Sequence, residues 1–363
     1  MGRMTQLVDR FGRKITYLRV SVTDKCNLRC IYCMPEEGVH LKSHSDILRI
    51  EELARIIRVA SQLGITHVRL TGGEPLVRQG IVTLICFLSE IPDIHDISMT
   101  TNGLLLPNLA ARLGEAGLDR VNISLDTLKP ERYKKITRCG ELSSVLDGLK
   151  AIEDVGLSPI KINTVVMKGV NHDEVQDIAM LTKEHPWTVR FIEFMPFWNN
   201  GWKFGSRHVV PIREIREKIL AQGAYPVGAH AEKSDMEESC MGKSDTEDFN
   251  MERNEHAERP DGVGPASYVK FPGSKAGIGF ISMKDHICSG CNRIRLTADG
   301  LLLPCLLSDI SVDLRTPLRE GATDDDIAGL ICKAVSLKPE NGKKAQAMAV
   351  RCEGNPSLSK IGG

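Results

Sequence analysis

From Ile15 to about residue 220, two kinds of apolar pattern take turns along the chain. The first is short and alternating, in the segments Ile15–Val22, Thr66–Thr71, Ile94–Thr100, Asp119–Asp126, Ile160–Val166 and Thr188–Met195. Period-two segments of that length predict strands. The second follows helical spacing: Ile50, Leu53, Ile56, Ile57, Ala60 and Leu63 before Gly64, then Leu142, Val145, Leu146, Leu149, Ile152 and Val155 before Gly156. A glycine after the last apolar residue suits the left-handed position that ends a helix. Strands separated by helices predict an α/β fold with a parallel sheet and right-handed crossovers.

The strands are not continuously apolar, as parallel strands covered on both faces usually are. Tyr17, Arg19 and Ser21 interleave with Leu18, Val20 and Val22, and His67, Arg69 and Thr71 with Val68 and Leu70. Ser98, Thr100 and Asn102, then Asn122, Ser124 and Asp126, repeat the pattern, and Lys161 and Asn163 flank Ile162. Helices covering one face leave the polar face lining an interior too polar for a packed core, which predicts a barrel with a polar lumen; a sheet with one solvent face is the competing reading.

After this part the character of the chain changes. Residues 230–260 hold ten acidic against four basic residues and almost no aliphatics, too little to bury for ordering, so a flexible insertion is expected over 226–262. Strand signals return at Ser267–Phe271, Ile278–Ser282 and Arg293–Thr297, the last leading through Ala298-Asp299-Gly300 into Leu301–Leu303, a hairpin signal. Asp324–Leu337 reads as a helix and the tail NPSLSKIGG as polar and small. The expected divisions are therefore 1–225, 226–262 and 263–363. Across 363 residues the formal net charge is zero, which gives no electrostatic basis for nucleic acid or membrane as partner. No apolar run has membrane-span length, and the first residues lack the apolar core of a signal peptide, so a cytoplasmic protein is expected.

Six of the eleven cysteines fall into two tight groups. Cys26, Cys30 and Cys33, in DKCNLRCIYCMP, follow the first strand at spacings of three and two intervening residues. Three thiolates can hold three irons of a [4Fe–4S] cluster and leave the fourth iron open to a reactant. Zinc, with His40 or His44 completing four ligands, is the alternative on spacing alone. Cys288 and Cys291, with Cys305 beyond NRIRLTADGLLLP, form the second group. A hairpin turning at 298 would bring Cys291 and Cys305 opposite each other, giving a second open-iron triad, or a zinc site with His286.

CNLRCIYC resembles the signature of the radical S-adenosylmethionine (SAM) superfamily, and TGGEPLVR resembles its glycine-rich SAM-binding segment. LRVSVTDKCNLRCIYC, VRLTGGEPLVR, TTNG, VNISLDTL, KINTVVMKG, FIEFMPF, CSGCNRIRLTADGLLLPC and the terminal Gly362-Gly363 together resemble the GTP 3',8-cyclase family of molybdenum cofactor biosynthesis. The resemblance implies an incomplete (βα)6 TIM-like barrel with a C-terminal extension that contains the β-hairpin and a second iron–sulfur site. It implies two [4Fe–4S] clusters, on Cys26, Cys30 and Cys33 and on Cys288, Cys291 and Cys305, with SAM as cosubstrate. Tyr32, Gly73, Ser124 and Met195 would contact SAM. Arg19, Arg69, Thr100, Lys161, Arg293, Ile294 and Arg295 would surround GTP, with Arg19, Arg293 and Arg295 supporting catalysis. The implied reaction abstracts hydrogen from C3' of GTP and closes the resulting radical onto C8 of guanine. A homodimer, an electron donor and a cyclic pyranopterin synthase that takes the product are implied as partners. Peptide-modifying radical enzymes and a non-enzymatic protein with two zinc sites remain the other readings.

Overall fold

The computed structural model describes residues 6–195, 205–227, 266–282 and 288–348. The acidic segment, His286 and the terminal Gly362-Gly363 lie outside the described residues. The chain divides into two compact units, the first holding residues up to Ile160 and the C-terminal part from 284, the second running from Lys161 through residue 283, less 197–204.

In the first unit, β1 (Tyr17–Ser21), β2 (His67–Thr71), β3 (Asp96–Thr101) and β4 (Arg120–Ser124) are parallel neighbours in that order. Their residues are those of the alternating segments with shifted ends, β3 running one residue further, to Thr101. The C-terminal part returns to pair with the first strand: β10 (Arg293–Leu296) lies parallel to the free side of β1. An antiparallel partner, β11 (Leu301–Leu303), follows, then β12 (Val312–Asp313). The turn into β11 needs Gly300, at φ +88°, where an added Cβ would stand 2.6 Å from the Cβ of Arg315.

One face of these strands is apolar throughout. Ile294, Leu18, Val68 and Ile97 form a register row across β10, β1, β2 and β3, each at most 3% exposed. Two helices of the unit show how its polar sequence supports local structure. Helix α1 (Ile50–Gln62) buries Leu53, Ile56, Ile57 and Ala60, the spacing read from the sequence. The helix at Asp324–Ser336 starts on Thr323, whose hydroxyl accepts from the Asp326 amide, and three aspartates in its first turn complement the helix dipole.

In the second unit the strand order is β5 (Ile160–Val166), β6 (Trp187–Glu193), β9 (Ile278–Ile281), β8 (Ser267–Lys270), β7 (Tyr225–Val227). Strands β6 and β9 are parallel, while β8 runs antiparallel to both β9 and β7. Phe191 stacks on Phe280 at 6.2 Å within its core. Among the described residues the strands of neither unit close on themselves. Among the described residues no helix is long and apolar enough to cross a membrane.

Candidate active site

The polar face of the first unit follows from strand register. Arg295, Arg19, Arg69 and Ser98 stand side by side on β10, β1, β2 and β3, and Arg293, Tyr17, His67 and Asp96 form the next row. Neighbouring strands are about 4.8 Å apart, so three guanidiniums of one row share a small area. The Arg69 side chain is fixed by its Nε, which donates to the Ser98 hydroxyl at 3.2 Å, and by the Tyr17 ring 5.4 Å below its guanidinium. Burial and then the charges of Arg295, Arg69 and Arg293 hold the Arg19 guanidinium well below its ordinary pKa, partly opposed by Tyr17. Burial and Arg293 bring Arg295 down to about 10. Desolvated cations that depress one another favour a polyanion over a neutral ligand.

Ile294 departs from expectation, because its side chain is fully buried on the opposite, apolar face and only its main chain could bear on a ligand. Thr100 and Ser124 are half-buried on β3 and β4. Lys161 and Met195 belong to the second unit, where Lys161 is 1% exposed.

Cys26, Cys30 and Cys33 form no disulfide and are half-buried on the loop beyond the C-terminal end of β1. Leu28 and Met34, at 2% and 3% exposure, anchor this loop in the core. A second clamp comes from residues 136–140. Arg29 and Ile31 amides donate to Thr137 and Ile136 carbonyls, and the Arg138 guanidinium donates to the Arg29 and Met34 carbonyls. Arg138 adopts φ +68°, and no other non-glycine among the described residues has a positive φ. Burial pushes the Cys26 thiol up to about 11 and Cys30 well above the ordinary range, with Cys33 and Asp126 adding to the latter. The Tyr32 hydroxyl donates to Asp126 at 2.7 Å, directly beside the triad.

The glycines of TGGEPLVR turn out to serve the cysteine loop itself. A Cβ on Gly72 would stand 2.6 Å from the Thr23 carbonyl oxygen, and one on Gly73 2.4 Å from that of Lys25. The Gly73 and Glu74 amides donate to those same carbonyls at 2.9 and 2.8 Å. Glu74 is buried and accepts from the Leu76 amide, the Asn102 amide and the Thr101 hydroxyl. Burial nevertheless raises its carboxyl to about 7. The folded chain then keeps a proton that the unfolded chain has released above about pH 4.5. Stability from this group is therefore complete below about pH 4.5 and lost by about pH 7, a fall of about 3 kcal/mol. Anaerobic urea unfolding at pH 5 and pH 8 should show that fall, and Glu74→Gln should flatten it.

The second triad sits at the other end of the same strand face. Cys291 precedes the N-terminal end of β10, and Cys305 follows β11, which runs antiparallel and so ends beside it. The register pairs Arg295 with Leu303 and Leu296 with Leu302. That centres the turn on 299 rather than 298, and continuing it sets Arg293, not Cys291, across from Cys305. The three thiols are free and half-buried. Burial pushes Cys291 up, but Lys338 and Arg293 outweigh it and leave the thiol below its ordinary range. Burial leaves Cys305 above it.

Four residues beside the triads carry no chemical motif and escape the sequence reading: Asp9, Arg13, Asp126 and Lys338. Asp126 is legible there only as a polar strand position. Lys338, 2% exposed, follows the apolar run of a helix and precedes a proline, a place that ordinarily suggests a surface lysine.

Comparison with known proteins sets this geometry in context. The chain matches the Radical SAM superfamily over residues 20–182 and the Molybdenum Cofactor Synthesis C family over 224–344. Proteins named GTP 3',8-cyclase from Pelotomaculum thermopropionicum and Petrotoga mobilis are 44% and 47% identical to it. The first alignment covers 98% of this chain and 99% of the relative, the second 92% and 94%. This chain belongs to the GTP 3',8-cyclase family. A namesake from Peptoclostridium acidaminophilum, 39% identical, aligns over the full length of both chains. Among solved structures, Streptococcus suis SuiB bound to S-adenosylmethionine has a TM-score of 0.56 at 15% identity, covering 86% of this chain and 68% of that one, a likeness of fold.

Membership of a radical SAM family implies a [4Fe–4S] cluster and SAM, and the first triad fits. It offers three thiols outside any disulfide on one loop, buried enough to influence one another's ionisation. Among the described residues no three His, Cys, Asp or Glu side chains close around a single ion, and His40 and His44 are exposed.

Proposed function

We propose that this chain converts GTP into (8S)-3',8-cyclo-7,8-dihydroguanosine 5'-triphosphate by radical SAM chemistry, the first step toward molybdopterin. The observation that carries this reading is the guanidinium row of Arg295, Arg19 and Arg69, flanked by one cysteine triad at each end of the strand face. Cys26, Cys30 and Cys33 would hold a [4Fe–4S] cluster, which would supply the electron for reductive cleavage of SAM and so the radical chemistry directed at C3' of GTP. Cys288, Cys291 and Cys305 would hold a second [4Fe–4S] cluster, which would supply a binding site for the guanine base.

The chain's own residues do the rest. Arg19, Arg293 and Arg295 neutralise the triphosphate by charge-assisted hydrogen bonds, and Arg69 adds a donor already held in one orientation by Ser98 and Tyr17. Thr100, Lys161 and the main chain of Ile294 complete the nucleotide site. Tyr32, Gly73, Ser124 and Met195 face SAM, and Tyr32 is held for this by Asp126. An incomplete (βα)6 barrel, with 226–262 as an insertion before the C-terminal region, excludes water from the radical intermediates. A cytoplasmic homodimer, fed by an external electron donor and supplying a cyclic pyranopterin synthase, completes the reading.

Anaerobically reconstituted protein given SAM, a strong reductant and GTP is expected to yield 5'-deoxyadenosine and an isomer of GTP by mass spectrometry, with no nucleotide product when ATP replaces GTP. SAM cleavage that leaves GTP unaltered would sink the cyclase assignment and keep the superfamily.

A further inference from the structure

Two buried cations converge on the main chain that carries the second triad. Arg13 lies on the turn before β1 and is 8% exposed. Its guanidinium donates to the Cys288 carbonyl at 2.8 Å, to Glu340 O at 3.0 Å and to Pro339 O at 2.6 Å. Asp9, 6% exposed, fixes it through the Nε at 2.5 Å. Lys338 donates to Arg293 O at 2.6 Å and to Pro304 O at 2.7 Å. Those carbonyls lie two residues after Cys291 and one before Cys305. The two cations are joined by sequence: the residues next to Lys338 supply the carbonyls that Arg13 holds.

We propose that Arg13 and Lys338 are positioning residues that bracket the second cysteine triad, tying the main chain beside all three cysteines to one turn, residues 338–340. This rests on the reading of Cys288, Cys291 and Cys305 as a cluster site. The physical reason is that the three cysteines come from two separate segments, so each brings its own conformational entropy to any assembly. Carbonyls tied to buried charges remove that freedom before metal arrives. An ammonium at this depth is tolerable only while its acceptors stay in place, so a lysine buried against two carbonyls signals a fixed structure around it.

The test compares iron content and iron release in anaerobically reconstituted chains. With two clusters the unaltered protein should carry about eight irons, and Cys291→Ser about four. Lys338→Met and Arg13→Gln are expected to lose second-site iron to a ferrous chelator at least about tenfold faster than the unaltered chain, with first-site iron and SAM cleavage retained. Eight irons with unchanged release in both variants would overturn the bracket. About four irons in the unaltered chain, insensitive to Cys291→Ser, would instead overturn the second cluster itself. If Lys338→Met fails to fold, so that first-site iron is lost too, Asp9→Asn decides. It leaves both cations in place and removes only the charge that orients Arg13; faster second-site release supports the bracket, and unchanged release overturns it.

Discussion

Alanine at position 73 is expected to strip the first cysteine triad of its iron while sparing the second. The added methyl would meet the Lys25 carbonyl oxygen at 2.4 Å and its carbon at 2.6 Å, backbone that cannot swing away as a side chain would. Lys25 precedes Cys26, so any relief moves the loop that sets the triad. It also breaks the paired hydrogen bonds from the Gly73 and Glu74 amides. The cost in folding stability should be about 3 kcal/mol or more, at the severe end of overpacking. Gly329 is a control for the substitution itself, because an added Cβ there meets nothing within 4 Å. In its helix, Gly329→Ala should stabilise by about 0.5–1 kcal/mol. Iron analysis, SAM cleavage and thermal unfolding of the two variants check this; Gly73→Ala with full iron and unchanged melting would refute the role given to the glycine pair.

The second large effect concerns the guanidinium row. Arg19→Leu should weaken GTP binding by about 10²–10³-fold, the worth of one or two charge-assisted hydrogen bonds. The same change should leave the empty protein as stable as before or more so, by about 1 kcal/mol, because it removes a buried cation that Arg295, Arg69 and Arg293 all disfavour. Opposite signs for affinity and stability distinguish a binding charge from a structural one. Arg19→Lys should restore little, since a point charge does not reproduce the planar fork. Titration calorimetry with GTP and melting curves without it provide both readouts. Unchanged affinity, or a marked loss of stability in the empty protein, would count against the nucleotide site.

Much of this architecture is legible in the order of residues alone. The alternation of Tyr17, Arg19 and Ser21 with Leu18, Val20 and Val22 fixes which side chains share a face, because strand periodicity leaves no other choice. Cys26, Cys30 and Cys33 are legible because their spacing is local. Pairing between distant segments leaves no such trace. Nothing local tells that β10 lies against β1, so the side-by-side row of Arg295 and Arg19 emerges only in the structure. The hairpin turn is misjudged by one residue, since Thr297 accepts the Leu301 amide and moves the centre of the turn to Asp299. That the glycine pair also packs against the chain's own cysteine loop is not legible, because a sequence cannot show which backbone it approaches. Arg13 and Lys338 escape because their partners are backbone carbonyls, which every residue possesses.

The pairing of β1 with β10 also sets a timetable for synthesis. The first triad and its clamp are complete once residue 140 has been made, but Asn292 reaches back 276 positions to Thr16, and Lys338 comes later still. At about 5–20 residues per second, roughly 200 further residues take some ten to forty seconds. Through most of that interval, until residue 305 is made, the nascent chain can fold one thiol triad while the other is incomplete. Contacts this distant in sequence form late and slowly. A chain interrupted before residue 288 would carry the first thiol triad with none of the second.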